Sequence, residues 1–244
     1  MNVPLVNPDT IVYSTIGGFL PALLWLIFWL KEDEAPEPKR LLLVAFFGGV
    51  IAIPTALVLE LLWNGALKTW ATSPAGSLAL IAGFAFIEEY TKYFFCYSLI
   101  FWRKEYDEPA DAIIYMITTA LGFAALENTL YLITPFHSAL IHGVATSDLR
   151  FLGPTLLHAL SSGFLGYFIA QAFWRSHFRK EIALGIGLFF STALHTLFNI
   201  FILQTGGTTI EPALVLLVIA GLGILFSFER IKHKIINTSS YAQR

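Results

Sequence analysis

Cysteine is nearly missing from this chain: a single one, Cys96, stands among 244 residues. No intramolecular disulfide can form, and a Cys-rich metal knuckle is excluded. Charge is scarce as well, with 13% Asp, Glu, Lys and Arg against 56% hydrophobic residues and a mean hydropathy of +0.68. A chain this apolar cannot be an ordinary water-soluble domain of the same length, and it reads as a polytopic membrane protein. No basic patch is available to neutralise phosphates, so no nucleic-acid partner is expected. The net charge of −2 carries little information, because in a membrane protein charge matters by side rather than by sum. Internal repeats and a separable soluble domain are also missing, which leaves one integral membrane domain over 1–244 as the expected organisation.

What the chain does contain is a succession of apolar runs, at 10–30, 41–63, 77–102, 111–134, 151–173, 182–203 and 211–228. Each is close to the ~20 residues that a membrane-spanning helix needs. The expected fold is therefore all-α, a polytopic transmembrane bundle of about seven spans. The residues before the first run carry no positive n-region, so that run is read as a retained helix and not as a cleaved signal. The breaks alternate between charged and nearly uncharged, the latter falling at 64–76, 135–150 and 204–210. Twelve cations lie on one side (Lys31, Lys39, Arg40, Arg103, Lys104, Arg175, Arg179, Lys180, Arg230, Lys232, Lys234 and Arg244) and two, Lys68 and Arg150, on the other. By the positive-inside rule this places the N-terminus outside and the C-terminus in the cytoplasm.

The fifteenth cation, Lys92, breaks the pattern, because it sits in the middle of the third run with Glu88 and Glu89. An ionisable group near the bilayer centre costs about 2.5–3.5 kcal/mol on insertion scales, so these three must face protein or a wet cavity. The next three runs bring Glu127, Asn128 and Tyr131, then His158 with Ser161 and Ser162, then His195 with Asn199. Glu60, near the outer end of the second run, is expected to snorkel. At ~1.5 Å per residue, Glu88 lies ~16 Å from the outer end of its run, Glu127 ~10 Å, His158 ~10 Å and His195 ~12 Å. Helices of opposite direction thus deliver their polar groups to one level. Glu88 and Lys92 are spaced i,i+4 in the favourable order and are expected to pair, while Glu89 points about 100° away toward another partner. Gly122 and Gly166 flank these turns and would allow close helix approach.

Taken in order, Glu88-Glu89-x-x-Lys92, Gly122-x-x-x-x-Glu127-Asn128-x-x-Tyr131, His158-x-x-x-Ser162-x-x-x-Gly166 and His195-x-x-x-Asn199 resemble the PrsW family of intramembrane proteases. That family is related to a glutamate-dependent group that includes CAAX prenyl endopeptidases and bacteriocin-processing enzymes. Lys92 stands four positions after Glu88, where the CAAX branch would have Arg one residue later, and this favours the PrsW side. The resemblance covers roughly 77–203 and makes that segment the four-helix catalytic core. It implies a multi-pass protein of a prokaryotic plasma membrane that cleaves a peptide bond in a single-pass substrate, such as an anti-sigma factor, within the lipid bilayer.

Peptide hydrolysis needs an activated water, a proton donor for the leaving amine and a stabilised oxyanion. The candidate catalytic residues are Glu88, Glu89, Glu127, His158, His195 and Asn199, with Lys92, Asn128, Tyr131 and Ser162 in support. In one assignment Glu88 activates water with help from His158, while His195 and Asn199 stabilise the oxyanion and Glu89 supports them. In the other, Glu127, His158 and His195 ligate zinc and a glutamate of the pair is the base; two His and one Glu match a catalytic zinc set in type, although no His-Glu-x-x-His helix is present. The rival class is an ion- or proton-coupled transporter that uses the same buried groups. Against it stands the absence of matched half-repeats.

Overall fold

Prolines open α1 (Pro8–Trp29), α3 (Pro74–Leu99), α4 (Pro109–Ser138) and α6 (Pro154–Gln171), in the first turn, where a missing N–H costs nothing. Caps reinforce two of them. Ser73 Oγ accepts from Gly76 N at 3.0 Å at the start of α3, and Asp111 Oδ2 accepts from Asp107 N and Glu108 N at 2.8 and 2.9 Å at the start of α4. The remaining helices are α2 (Lys39–Leu67), α5 (Leu140–Leu152), α7 (His177–Gln204) and α8 (Glu211–Ala242). The computed structural model describes residues 7–32, 35–204 and 211–242, with side chains described through 231. The side chains of Lys232, Lys234 and Arg244 and most of the break at 204–210 lie outside them. Among the described residues there is no strand.

All seven apolar runs are helical, and among the described residues five helices are long and apolar enough to cross a membrane: Pro8–Glu32, Lys39–Leu67, Pro109–Ser138, His177–Gln204 and Glu211–Ile231. The two that fall short are informative. Charged Glu88, Glu89 and Lys92 interrupt α3, and α6 is only 18 residues long and carries His158, Ser161 and Ser162. The protein is thus a polytopic α-helical bundle whose least lipid-like helices hold its polar groups. One element departs from the sequence reading: the nearly uncharged break at 135–150 contains most of α5, a 13-residue helix too short to span. Its Leu140, Ile141, Val144, Leu149 and Leu152 are exposed, as expected of a helix that lies along the rim of a bundle.

The axis is α4. Every residue from Pro109 to Ala125 is buried, the signature of a helix surrounded by others. α1, α2 and α6 pack directly on it, and α7 bridges α6 to α3. Glycine sets two of these contacts. A Cβ on Gly49 would lie 1.8 Å from Thr119 O, and one on Gly122 would lie 1.8 Å from Phe46 O, so α2 and α4 touch backbone to backbone. On the α6 side a Cβ on Gly166 would meet Ala112 O at 2.6 Å. Small residues at such crossings let dispersion contacts act where lipid offers no hydrophobic drive.

Candidate functional site

Glu88 and Glu89 are neighbours on α3, and about 100° of helical rotation sends their side chains in different directions. Glu89 turns fully inward. Its Oε1 accepts from Lys92 Nζ at 2.7 Å, Ser161 Oγ at 3.0 Å and His195 Nδ1 at 3.0 Å, and its Oε2 accepts from Ser162 Oγ and Ser191 Oγ, each at 2.8 Å. Five donors from α3, α6 and α7 therefore converge on one carboxylate. Lys92 is equally sealed, with 0% exposure for both side chains, and neither charge could be kept there without the other. The expected Glu88–Lys92 pair is the looser one, at 3.7 Å against 2.7 Å for Glu89. Spacings of three and four residues are both within reach of a lysine on a helix, and the buried partner takes it.

Glu88 is different. Its side chain retains 12% exposure, and its Oε2 is buried with no hydrogen-bond partner among the described residues. Two ring nitrogens face that oxygen, His158 Nδ1 and His195 Nε2, each at 3.8 Å. The other nitrogen of each ring is occupied. His158 Nε2 lies 3.0 Å from Glu127 Oε2, and His195 Nδ1 lies 3.0 Å from Glu89 Oε1. An ionised carboxylate only accepts, so in neutral rings both of these nitrogens carry the proton. The lone pairs are then on His158 Nδ1 and His195 Nε2, the two atoms turned toward Glu88. Lys92 Nζ, 2.7 Å from His158 Nδ1, is a donor and agrees with that assignment. The rings stand edge to face with centroids 5.1 Å apart, and Phe123 packs against His158 at 5.5 Å.

Glu127 thus sits behind His158, not beside Glu88. Its Oε2 also accepts from an Arg150 terminal nitrogen at 2.9 Å, while Arg150 Nε donates to Asn128 Oδ1. Asn128 Nδ2 donates to Thr155 Oγ1 at 2.8 Å, and Thr155 Oγ1 donates to Arg150 O at 2.8 Å. Tyr131 is exposed, with its ring 4.2 Å from the Arg150 guanidinium carbon. Asn199, one turn beyond His195 on α7, is half-buried. Glu60, expected to snorkel, is also half-buried and lines a cavity of about 280 Å³ with Leu57, Leu61, Asn64 and Phe84, within electrostatic reach of Glu88 and Glu127.

Three residues of this site were not singled out from the sequence: Arg150, Thr155 and Ser191. Ser191 stands four residues before His195 and so shares its helix face, a signal that was available. The sequence reads Arg150 as an outer-side loop cation, and α5, which carries it in its last turn, explains how it reaches the bundle.

The geometry also tests a metal. Glu88, His158 and His195 each offer a ligand atom, and these atoms lie within 4.8 Å of one another. His158 Nδ1, His195 Nε2 and the Glu88 carboxylate form a donor set of the type suited to a catalytic divalent ion once Lys92 Nζ releases His158 Nδ1, and each imidazole is backed by a carboxylate in the manner of metal-bound histidines. The residues fit. The converging trio contains Glu88 where the sequence-based zinc set has Glu127.

Comparison with known proteins gives the family. A family model described as PrsW family intramembrane metalloprotease matches residues 37–227. The chain is 35% identical over 163 residues to Protease PrsW of Geobacillus kaustophilus, covering 66% of this chain and 68% of that protein. It is 28% identical over 188 residues to Protease PrsW of Oceanobacillus iheyensis, covering 77% and 81% respectively. To Protease PrsW of Bacillus subtilis it is 28% identical over 180 residues, covering 73% and 78%. No solved structure matches.

Proposed function

The chain belongs to the PrsW family of intramembrane proteases, a multi-pass peptidase of a prokaryotic membrane, and from that position we propose that it cleaves a single-pass membrane protein, such as an anti-sigma factor, with a water activated by Glu88. The observation that carries the reading is the orphaned Oε2 of Glu88, 3.8 Å from two imidazole nitrogens whose protons are fixed on the far side of each ring. A buried carboxylate oxygen without a donor is costly unless something binds there, and a water or its proton is what it can take.

In this reading Glu88 accepts the proton of the attacking water as oxygen adds to the scissile carbonyl carbon. It then returns that proton to the departing amine as the C–N bond breaks, leaving a carboxylate and an amine. His195 holds the water through its inward Nε2 lone pair, while His158, whose Nδ1 accepts from Lys92, lines the other side of the site. Asn199, one turn from His195, supplies an amide donor for the oxyanion. Glu127 and Glu89 keep the two rings in one tautomer and orientation. In the metal-assisted form Glu88, His158 and His195 would hold a divalent ion such as zinc, which would supply Lewis acidity to the carbonyl, with Glu88 a ligand and no longer the base.

The test is cleavage of a library of single-pass membrane segments by the purified protein in detergent, beside Glu88→Gln and His158→Ala. Cleavage by the wild type alone is expected, lost with a strong chelator and restored by zinc. Retained activity under chelation would remove the metal from the reading. No cleavage of any segment, together with Glu88-dependent ion or proton flux in liposomes, would overturn proteolysis in favour of a carrier.

A further inference from the structure

Glu127 Oε2 has two donors on the same oxygen, His158 Nε2 at 3.0 Å and Arg150 at 2.9 Å. Its side chain is 35% exposed, so nothing in the packing alone keeps it on the imidazole. Arg150 does more than neutralise it. One arm of the guanidinium reaches Glu127 and Nε reaches Asn128, so the planar fork spans two consecutive residues of α4. Asn128 and Thr155 then close a ring of hydrogen bonds back to the Arg150 carbonyl, joining the end of α5 to α4 and the start of α6. The Tyr131 ring, 4.2 Å from the guanidinium carbon, fixes the plane of the fork.

We infer that Arg150 is a positioning residue of the reaction centre, acting through Glu127 to hold His158 with Nε2 protonated and Nδ1 turned toward Glu88. The inference rests on the metal-assisted form of the function proposed above. It makes α5 part of the site: the 13-residue rim helix carries in its last turn the cation that orients an imidazole on α6. Without that cation Glu127 is free to swing to solvent, and the ring loses its Nε2 acceptor, leaving the Lys92 contact on Nδ1 alone to hold its tautomer and direction. The effect reaches the ligand set with no contact between Arg150 and either Glu88 or His195.

The experiment measures zinc affinity of the full-length protein in detergent by competition with a chromophoric chelator. It compares wild type with Arg150→Gln, Arg150→Lys, Glu127→Gln, the Arg150→Gln/Glu127→Gln double variant and His158→Ala, with thermal unfolding of the apo forms alongside. Removal of an outer-shell partner of a metal-bound histidine lowers affinity about 10–100-fold. Arg150→Gln is expected in that range with the unfolding midpoint lowered only slightly, by the loss of its bonds to Glu127 and Asn128. Glu127→Gln is expected to match it, and the double variant to be no weaker than Glu127→Gln alone, because both act on one contact. Arg150→Lys recovers part of the loss, since an ammonium cannot span both Glu127 and Asn128; this variant and Glu127→Gln decide the matter if Arg150→Gln fails to fold. Zinc binding abolished in His158→Ala but unaltered in Arg150→Gln would sink the role of Arg150 and leave the metal site standing. Additive losses in the double variant would sink it as well. No zinc binding by the wild type would overturn the metal reading and this inference with it.

Discussion

Glu88 and Glu89 differ by one position in the chain and by almost everything in their surroundings. Glu89 accepts from Lys92, Ser161, His195, Ser162 and Ser191, and is fully buried. Glu88 keeps some exposure and has a buried oxygen with no hydrogen-bond donor among the described residues, facing Nδ1 of His158 and Nε2 of His195. A carboxylate saturated with donors is stabilised as the anion and has no capacity left to move a proton. A carboxylate with an orphaned oxygen has that capacity. On the proposed function one helix turn holds a structural anion and a reactive one side by side, and substitutions should separate them along two axes, stability and rate.

The largest effect is expected from Glu88→Gln. Loss of a general base reduces turnover by about 10²–10⁴-fold, while the unfolding midpoint in detergent stays close to the wild-type value because only the looser 3.7 Å pairing with Lys92 is lost. Cleavage kinetics on a fixed segment and thermal unfolding of the same preparation check this together. If Glu88→Gln destabilises the protein as strongly as changes at Glu89 do, the contrast between the two carboxylates is wrong.

Glu89→Ala should act on the other axis. Removing one partner of a buried ion pair costs about 3–5 kcal/mol, since Lys92 is left charged and sealed. Lys92→Met added to Glu89→Ala should restore part of the stability, as replacement of a whole buried pair by apolar groups is often neutral. Denaturant or thermal unfolding in detergent measures both. A stable Glu89→Ala protein that has lost all cleavage would instead place Glu89 in the reaction.

How far this contrast could be read from the sequence depends on the range of the interaction. The seven apolar runs, the four helices with misplaced polar groups and their common depth follow from hydropathy and the 1.5 Å rise, which are properties of single segments. Gly122 and Gly166 were also legible as close-approach residues, and a Cβ at either would collide with backbone. The choice of Glu89 over Glu88 by Lys92 was not, because three- and four-residue spacings both permit a pair and burial decides between them. Arg150 stayed hidden because α5 is short and its apolar residues are interrupted by Gly143, Thr146, Ser147 and Asp148, so it reads as a break until those apolar residues are seen lying along one rim. Whether Glu88 or Glu127 joins the two histidines rests on which way each ring faces. That is set by Glu127 and Glu89, side chains from helices separate from those that carry the rings.

The finest test of the comparison is Ser191→Ala. Ser191 gives Glu89 one of its five donors, at 2.8 Å from Oε2, and Ser162 continues to serve that oxygen when Ser191 is gone. Side-chain hydrogen bonds within membrane bundles contribute about 0.6 kcal/mol on average and up to about 1.7 kcal/mol, so a small drop in stability within that range is expected. The carboxylate stays ionised and paired with Lys92, the proton on His195 Nδ1 stays directed at Oε1, and the lone pair on Nε2 keeps its direction toward Glu88. Turnover should therefore hold near the wild-type rate while the unfolding midpoint falls slightly. A large loss of turnover at unchanged stability would mean that the donors around Glu89 tune the chemistry and do not only hold the scaffold. The separation between the two carboxylates would then have to be redrawn with Glu89 and His195 as one reacting pair.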